Sequence, residues 1–334
     1  MQLERIWLGR WLVLIVLVIS HVIVVLQSSG DASEVAGMIT EIDVRSGNAA
    51  VRRVDVADWR PASPLLALDV GDVVRVNGDG YVVVLLAGGR GSLRIDATNS
   101  PVVIQGPRPT QDEPRLRRAW VLLEEGFWGL FGLSRDLPQQ KPLGSRGPTE
   151  GVVLLTPRNG PVLPEGLAFE WEGNPAARYT LRLVGPAGLV FARPDVTEAS
   201  FSYPIQAPPL VSGVRYEVEV VDELQRSDKA WFEVADRARA ETMRKNLRDL
   251  ETDGTSLSAE TLAMVKVGYL VSEGFLADAR SMLIAATARN QRNPALLYVL
   301  GKVYERLGLY SKAAESFSRA RDVESEFGQP GDGR

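Results

Sequence analysis

The chain has no cysteine and a single histidine, His21, which lies inside its longest apolar run. The missing thiol excludes a cysteine nucleophile, a disulfide framework, a zinc-thiolate site and a lipid-modified N-terminal cysteine. The missing imidazole excludes, outside that run, a Ser-His-Asp triad, a His-ligated metal and a histidine general base. A surplus of positive charge is absent as well. The 38 Lys plus Arg stand against 42 Asp plus Glu, a formal charge of −4, so nothing electrostatic recommends nucleic acid. Carboxylate or lysine chemistry stays open, but no pattern points to it. The expectation is a protein that is not an enzyme and carries neither cofactor nor metal.

What is present starts with MQLERIWLGRWLVLIVLVISHVIVVLQSSGDASE. Counted from Ile6 to Leu26 the run is 21 residues long, which at about 1.5 Å per helical residue matches the hydrocarbon thickness of a bilayer. Arg5 precedes it, Arg10 near its start can snorkel its guanidinium to the interface, and Asp31 and Glu34 follow, so the positive flank stays in the cytoplasm and the bulk of the chain crosses. Residues 1–30 read as a cytoplasmic tail and a single-pass inner-membrane anchor through residues 6–26, with a cleaved signal peptide as the alternative.

Residues 37–105 are all β: Val-rich runs of period two, broken by Asn77-Gly78-Asp79-Gly80 and by Gly88-Gly89-Arg90-Gly91, whose glycines supply the positive φ of hairpin turns. No Gly-Lys-Ser/Thr follows the second cluster, so it is turn chemistry and not a phosphate loop. The order Gly37-Met38-Ile39-Thr40, Val51-Arg52-Arg53, Leu68-Asp69-Val70-Gly71-Asp72, then Gly80-Tyr81 and Gly91-Ser92-Leu93-Arg94-Ile95, resembles a FecR-like domain. That resemblance implies an extracytoplasmic β module, in some members the sensing half of an anti-sigma regulator. Here only about ten residues precede the apolar run, too few to bury the cytoplasmic core such a relay requires.

Residues 106–150 form a linker. Residues 105–118 carry three prolines and four arginines, as an extended connector would. An aromatic island follows, with Trp120, Phe127, Trp128 and Phe131 around Glu124 and Glu125. A short helix there presents its rings to a neighbouring domain, a partner or a membrane surface.

From 151 to 236 seven short runs at about ten-residue spacing, split by Pro and Gly turns, predict a two-sheet sandwich. Trp171 is placed to fill the space between the sheets. The stretch PLVSGVRYEVEVVD resembles the late-strand region of a fibronectin type III or immunoglobulin-like domain, which implies a buried Tyr216 with its hydroxyl bonded to backbone upstream.

After Asp236 the period becomes helical, over 237–328. Gly274 and Gly308, Leu276 and Tyr310, Ala279 and Ala313, Leu283 and Phe317, and Ala286 and Ala320 are all 34 residues apart. A period of 34 with these residue types resembles the tetratricopeptide repeat. The resemblance implies antiparallel helix pairs whose groove positions, in the second copy, are Ala295, Tyr298, Lys302 and Glu305. Two copies are few for independent stability, so flanking helices, the sandwich or a second copy of the chain must cover their ends, which leaves a homo-oligomer open.

The expected fold class is therefore multidomain: a transmembrane helix, an all-β FecR-like domain, an immunoglobulin- or fibronectin-like β-sandwich and an all-α repeat domain. The expected function is an envelope scaffold in the periplasm that holds envelope proteins or peptides. A transmembrane sensor and a cell-wall glycan binder are the rivals.

Overall fold

The computed structural model describes residues 35–106, 151–164 and 166–327. The Val-rich stretches of the first segment pair as one long antiparallel ribbon of β1 (Val35–Arg52) and β4 (Val73–Leu86). The short strands β2 (Arg60–Pro61) and β3 (Ala67–Asp69) pair with β1, and β5 (Ser92–Asp96) and β6 (Val102–Val103) pair with β4. β-Branched side chains suit this pleated surface. One face, with Ile39, Ile42, Val74, Val82 and Val84, closes on Leu68, Ile95 and Ile104.

Asn77-Gly78-Asp79-Gly80, expected as a turn, instead runs straight through β4. Gly78 faces Gly47 across the ribbon. A Cβ on Gly47 would sit 2.0 Å from the Asn77 carbonyl oxygen, and one on Gly78 would sit 2.3 Å from that of Ser46. The glycines therefore permit a close backbone approach within the ribbon instead of a reversal. The reversal comes at Ala87–Gly91, where the Leu86 N–H donates to Gly91 O at 2.9 Å. In the Leu68–Asp72 stretch Gly71 takes a φ of +91°, and the buried Asp72 carboxylate accepts from the Arg53 guanidinium at 2.6 Å and from the Asp69 N–H at 2.9 Å. The two acidic residues and the glycine thus shape a turn.

The second β region has two sheets. One is ordered β11 (Gly188–Val196), β10 (Tyr179–Gly185), β13 (Arg215–Asp222), β14 (Ser227–Val234), β8 (Gly160–Val162). The other is β12 (Ser200–Ser202), β9 (Ala168–Glu172), β7 (Val153–Thr156). Trp171 is 1% exposed and meets Tyr179 edge-on at 5.5 Å. Tyr216 is buried, stacks on Phe232, and its hydroxyl accepts from the Val211 N–H at 2.8 Å. Strand β8, parallel to β14, escaped sequence reasoning because three residues containing Pro161 show no period.

Five α-helices follow among the described residues: α1 (Arg237–Asp253), α2 (Ala259–Ser272), α3 (Leu276–Arg289), α4 (Pro294–Leu307) and α5 (Tyr310–Phe327). Gly274 and Gly308 take φ of +82° and +76° between the members of the pairs α2/α3 and α4/α5, the left-handed stop that ends a helix and reverses the chain. Ala279, Leu283, Ala286, Ala313, Phe317 and Ala320 are all buried. Gly301 must be small: a Cβ there would lie 2.4 Å from the Phe317 ring. Leu276 is buried while Tyr310, its counterpart, is exposed.

The expected fold class is corrected in two respects. The described residues form sheets up to Val234 and helices after it, and no helix among them is long and apolar enough to cross a membrane. The span expected over residues 6–26 lies outside the described residues. Nor are the β regions and the helices separate units, since the described residues from Ala36 onward cluster as one compact body. Met38 and Leu85 of the first sheet, Leu65 of the turn before β3, and Leu155 of β7 belong to the same core as Met264, Leu270, Leu296 and Val303 of the helices. A two-repeat array leaves its end faces apolar, and burying each such side chain is worth about 1.5–3 kcal/mol, so the sheets are drawn onto them.

Candidate interaction surfaces

Helix α4 begins where the Asn293 side chain accepts from the Ala295 and Leu296 N–H groups at 3.0 and 3.4 Å, with Pro294 in the first turn. Ala295, Tyr298, Lys302 and Glu305 follow at helical spacing along one side. Ala295 is 0% exposed and offers no surface. The Tyr298 hydroxyl donates to the Glu324 carboxylate on α5 at 2.6 Å, and its ring lies 6.2 Å from that of Phe317. Lys302 pairs with Glu305 at 2.8 Å and lies 5.6 Å over the Phe317 ring. Three of the four residues thus keep a partly buried polar ridge beside α5. Burial pushes the Glu324 carboxyl above the usual range, although the bond from Tyr298 works against this. Burial first, and then Glu324, raises the Tyr298 phenol.

The equivalent positions of the first copy are Thr261, Met264, Gly268 and Val271, and all are buried. Thr261 is held by the first sheet. Its hydroxyl donates to Glu41 Oε1 at 2.8 Å and lies 2.9 Å from the Thr40 hydroxyl. Ser258 caps α2, accepting from the Thr261 N–H at 3.0 Å while its own hydroxyl donates to the same Glu41 oxygen. A buried carboxylate at a helix N-terminus gains from the exposed N–H dipoles there. This face of the first repeat is therefore filled by the chain's own β1.

On the other side the sandwich grips the helix ends. Arg158 donates through Nε to Leu307 O at 3.0 Å, through Nη1 to Leu154 O at 3.0 Å, and pairs with Asp228 at 2.7 Å. Asn159 Nδ2 adds a bond to Leu307 O at 3.3 Å. Leu307 ends α4, where a carbonyl lacks an intrahelical partner and a cation is favoured. Arg280, buried on α3, pairs with Glu170 of β9 at 2.8 Å, and Lys312 of α5 pairs with Glu172 at 2.5 Å. Asp278, in the first turn of α3, is pushed up to about 6 by burial, and its Oδ2 has no hydrogen-bond partner.

No protein-family model matches the chain, and no curated protein matches it. Among the described residues no three His, Asp or Glu side chains are grouped to hold a metal ion. The aromatic island of Trp120, Phe127, Trp128 and Phe131 lies outside the described residues. Sequence reasoning missed Thr40, Glu41, Thr261 and Arg158. For Thr40, Glu41 and Thr261 the sole signal is a polar residue inside an apolar run, which a solvent-facing position produces equally well, and Arg158 sits in a Pro-Arg-Asn-Gly turn that gives no signal of a distant partner.

Proposed function

We propose that the protein is a scaffold that binds a protein or peptide partner on surfaces held in fixed relation by its helical layer. One observation carries this reading. The helices are bonded on one side to the first sheet through Glu41 and Thr261, and on the other to the sandwich through Arg158 and Arg280. Buried polar groups are spent on holding layers together, a use that favours a single fixed arrangement. Outside these joints the sandwich presents apolar side chains at its loops, with Ile205 97% exposed and Leu224 and Val211 also open. The partner is recognised by shape and charge on such surfaces, and the chain performs no reaction.

The test begins with cross-linking of the full chain in its native cell envelope to identify a partner, followed by titration of the purified pair. Loosening either joint, by Glu41→Ala or Arg158→Met, is expected to weaken partner affinity at least tenfold, because the presented surfaces no longer hold one geometry. Unchanged affinity in both variants, or turnover of a substrate by the full chain, overturns the reading.

A further inference from the structure

At the end of the β1–β4 ribbon remote from Glu41, two arginines share one aromatic ring. Arg75 Cζ lies 4.1 Å and Arg52 Cζ 5.2 Å from the centroid of the Trp59 ring. The ring face attracts both cations, and a guanidinium held there can still meet a planar anion through its N–H edges. Neither has a carboxylate partner among the described residues, and Arg75 Nε is buried and donates to no acceptor. The neighbouring Arg53 behaves differently, paired with Asp72 at 2.6 Å and close to Asp69 at 3.7 Å. Asp55 and Asp58, the nearest carboxylates to Arg52 along the chain, are exposed, Asp72, the nearest to Arg75, is paired with Arg53, and none of the three pairs with Arg52 or Arg75.

The strand register sets what surrounds this pair. Arg52 lies opposite Val73, which lies opposite Val103, and Arg75 lies opposite Ala50 in the next row. Directly opposed residues of an antiparallel pair project to the same side, so Arg52, Val73, Val103 and Arg75 form one face. Val103 is 53% exposed. The face therefore offers two cations gathered at one ring with an aliphatic residue beside them.

We infer that this face binds an acidic segment of a protein partner, a carboxylate side chain seated on Arg52 and Arg75 and a neighbouring apolar side chain on Val103. Charge complementarity selects the carboxylate, and the exposed valine favours an amphipathic peptide over a free anion. The inference rests on the scaffold reading and names the chemistry of one of its partners.

The experiment is calorimetric titration of the full chain with a synthetic peptide alternating glutamate and leucine, with a lysine–leucine peptide as control. Inorganic phosphate and phosphatidylglycerol vesicles are run alongside. The acidic peptide is expected to bind, the control not to, and the double variant Arg52→Gln/Arg75→Gln to lose at least tenfold in affinity with an unaltered melting curve. Should the double variant fail to fold, Arg52→Gln alone, at an exposed position, is expected to lose severalfold. Equal peptide affinity in the variants overturns the inference. So does tighter binding of phosphate or vesicles through the same arginines. The scaffold reading, tested at Glu41 and Arg158, survives either failure.

Discussion

The helical layer is held from two sides by different chemistry. Against the first sheet it meets hydroxyls and one carboxylate: Glu41, Thr40, Thr261 and Ser258, with no cation paired to Glu41 among the described residues. Against the sandwich it meets cations: Arg158, itself paired with Asp228 inside the sandwich, donates to the Leu307 carbonyl, and Arg280 and Lys312 of the helices pair with Glu170 and Glu172. In the first joint Glu41 meets a helix start, and in the second Arg158 clasps a helix end, while Arg280 and Lys312 lie near the starts of α3 and α5. Glu41 and Arg158 each put charge where the helix dipole favours it, whereas Arg280 and Lys312, near helix starts, are balanced by the sandwich carboxylates Glu170 and Glu172.

The comparison can be broken at four points. Arg158→Met should cost most, about 2–3 kcal/mol in urea unfolding, because it leaves the half-buried Asp228 without its cation and the Leu307 carbonyl with only the longer Asn159 bond. Its effect should shrink when the titration is repeated at high salt, since added ions weaken the wild-type pair. Glu41→Ala should cost about 2 kcal/mol, leaving the Ser258 and Thr261 hydroxyls without their acceptor. That loss should hardly change with salt, and equal salt dependence of the two variants would sink the distinction.

A third test uses pH. Asp278 has a folded value raised to about 6 from 3.8, so the folded state holds the proton longer than the unfolded state. Stability should fall as pH rises from about 4 to about 6, with the full cost present above that. Asp278→Asn should therefore stabilise the protein by about 1–2 kcal/mol at neutral pH and by almost nothing below pH 4, read as paired thermal melts across the range. The smallest effect belongs to Thr261→Val, about 1 kcal/mol in the same urea assay, because the isosteric side chain keeps the packing and Ser258 still serves Glu41.

Much of the architecture was legible because it rests on periods. The 34-residue offset located α2 to α5 and the two left-handed glycines, and strand alternation located Trp171 between the sheets. What escaped depends on contacts between distant segments. Thr40 and Glu41 lie some 220 residues from Thr261, and no local pattern reports that a strand's outward face will meet a helix start. Asn77-Gly78 misled for a related reason. The same φ > 0 serves a reversal or a close crossing, and the choice depends on Gly47 across the ribbon. The repeat resemblance indicated an open face on α4, yet Ala295 has no exposed surface and Tyr298 is turned to Glu324 on α5.

The crossing of Gly47 and Gly78 also bears on how the gene can drift. Most single-base changes in a glycine codon specify alanine, serine, valine, aspartate, arginine or another bulky residue. Each would drive an atom into the opposing carbonyl and skew the strand ends that carry Glu41 on one side and Arg75 on the other. Selection is expected to hold both codons even in lineages where the surrounding valines have been exchanged freely.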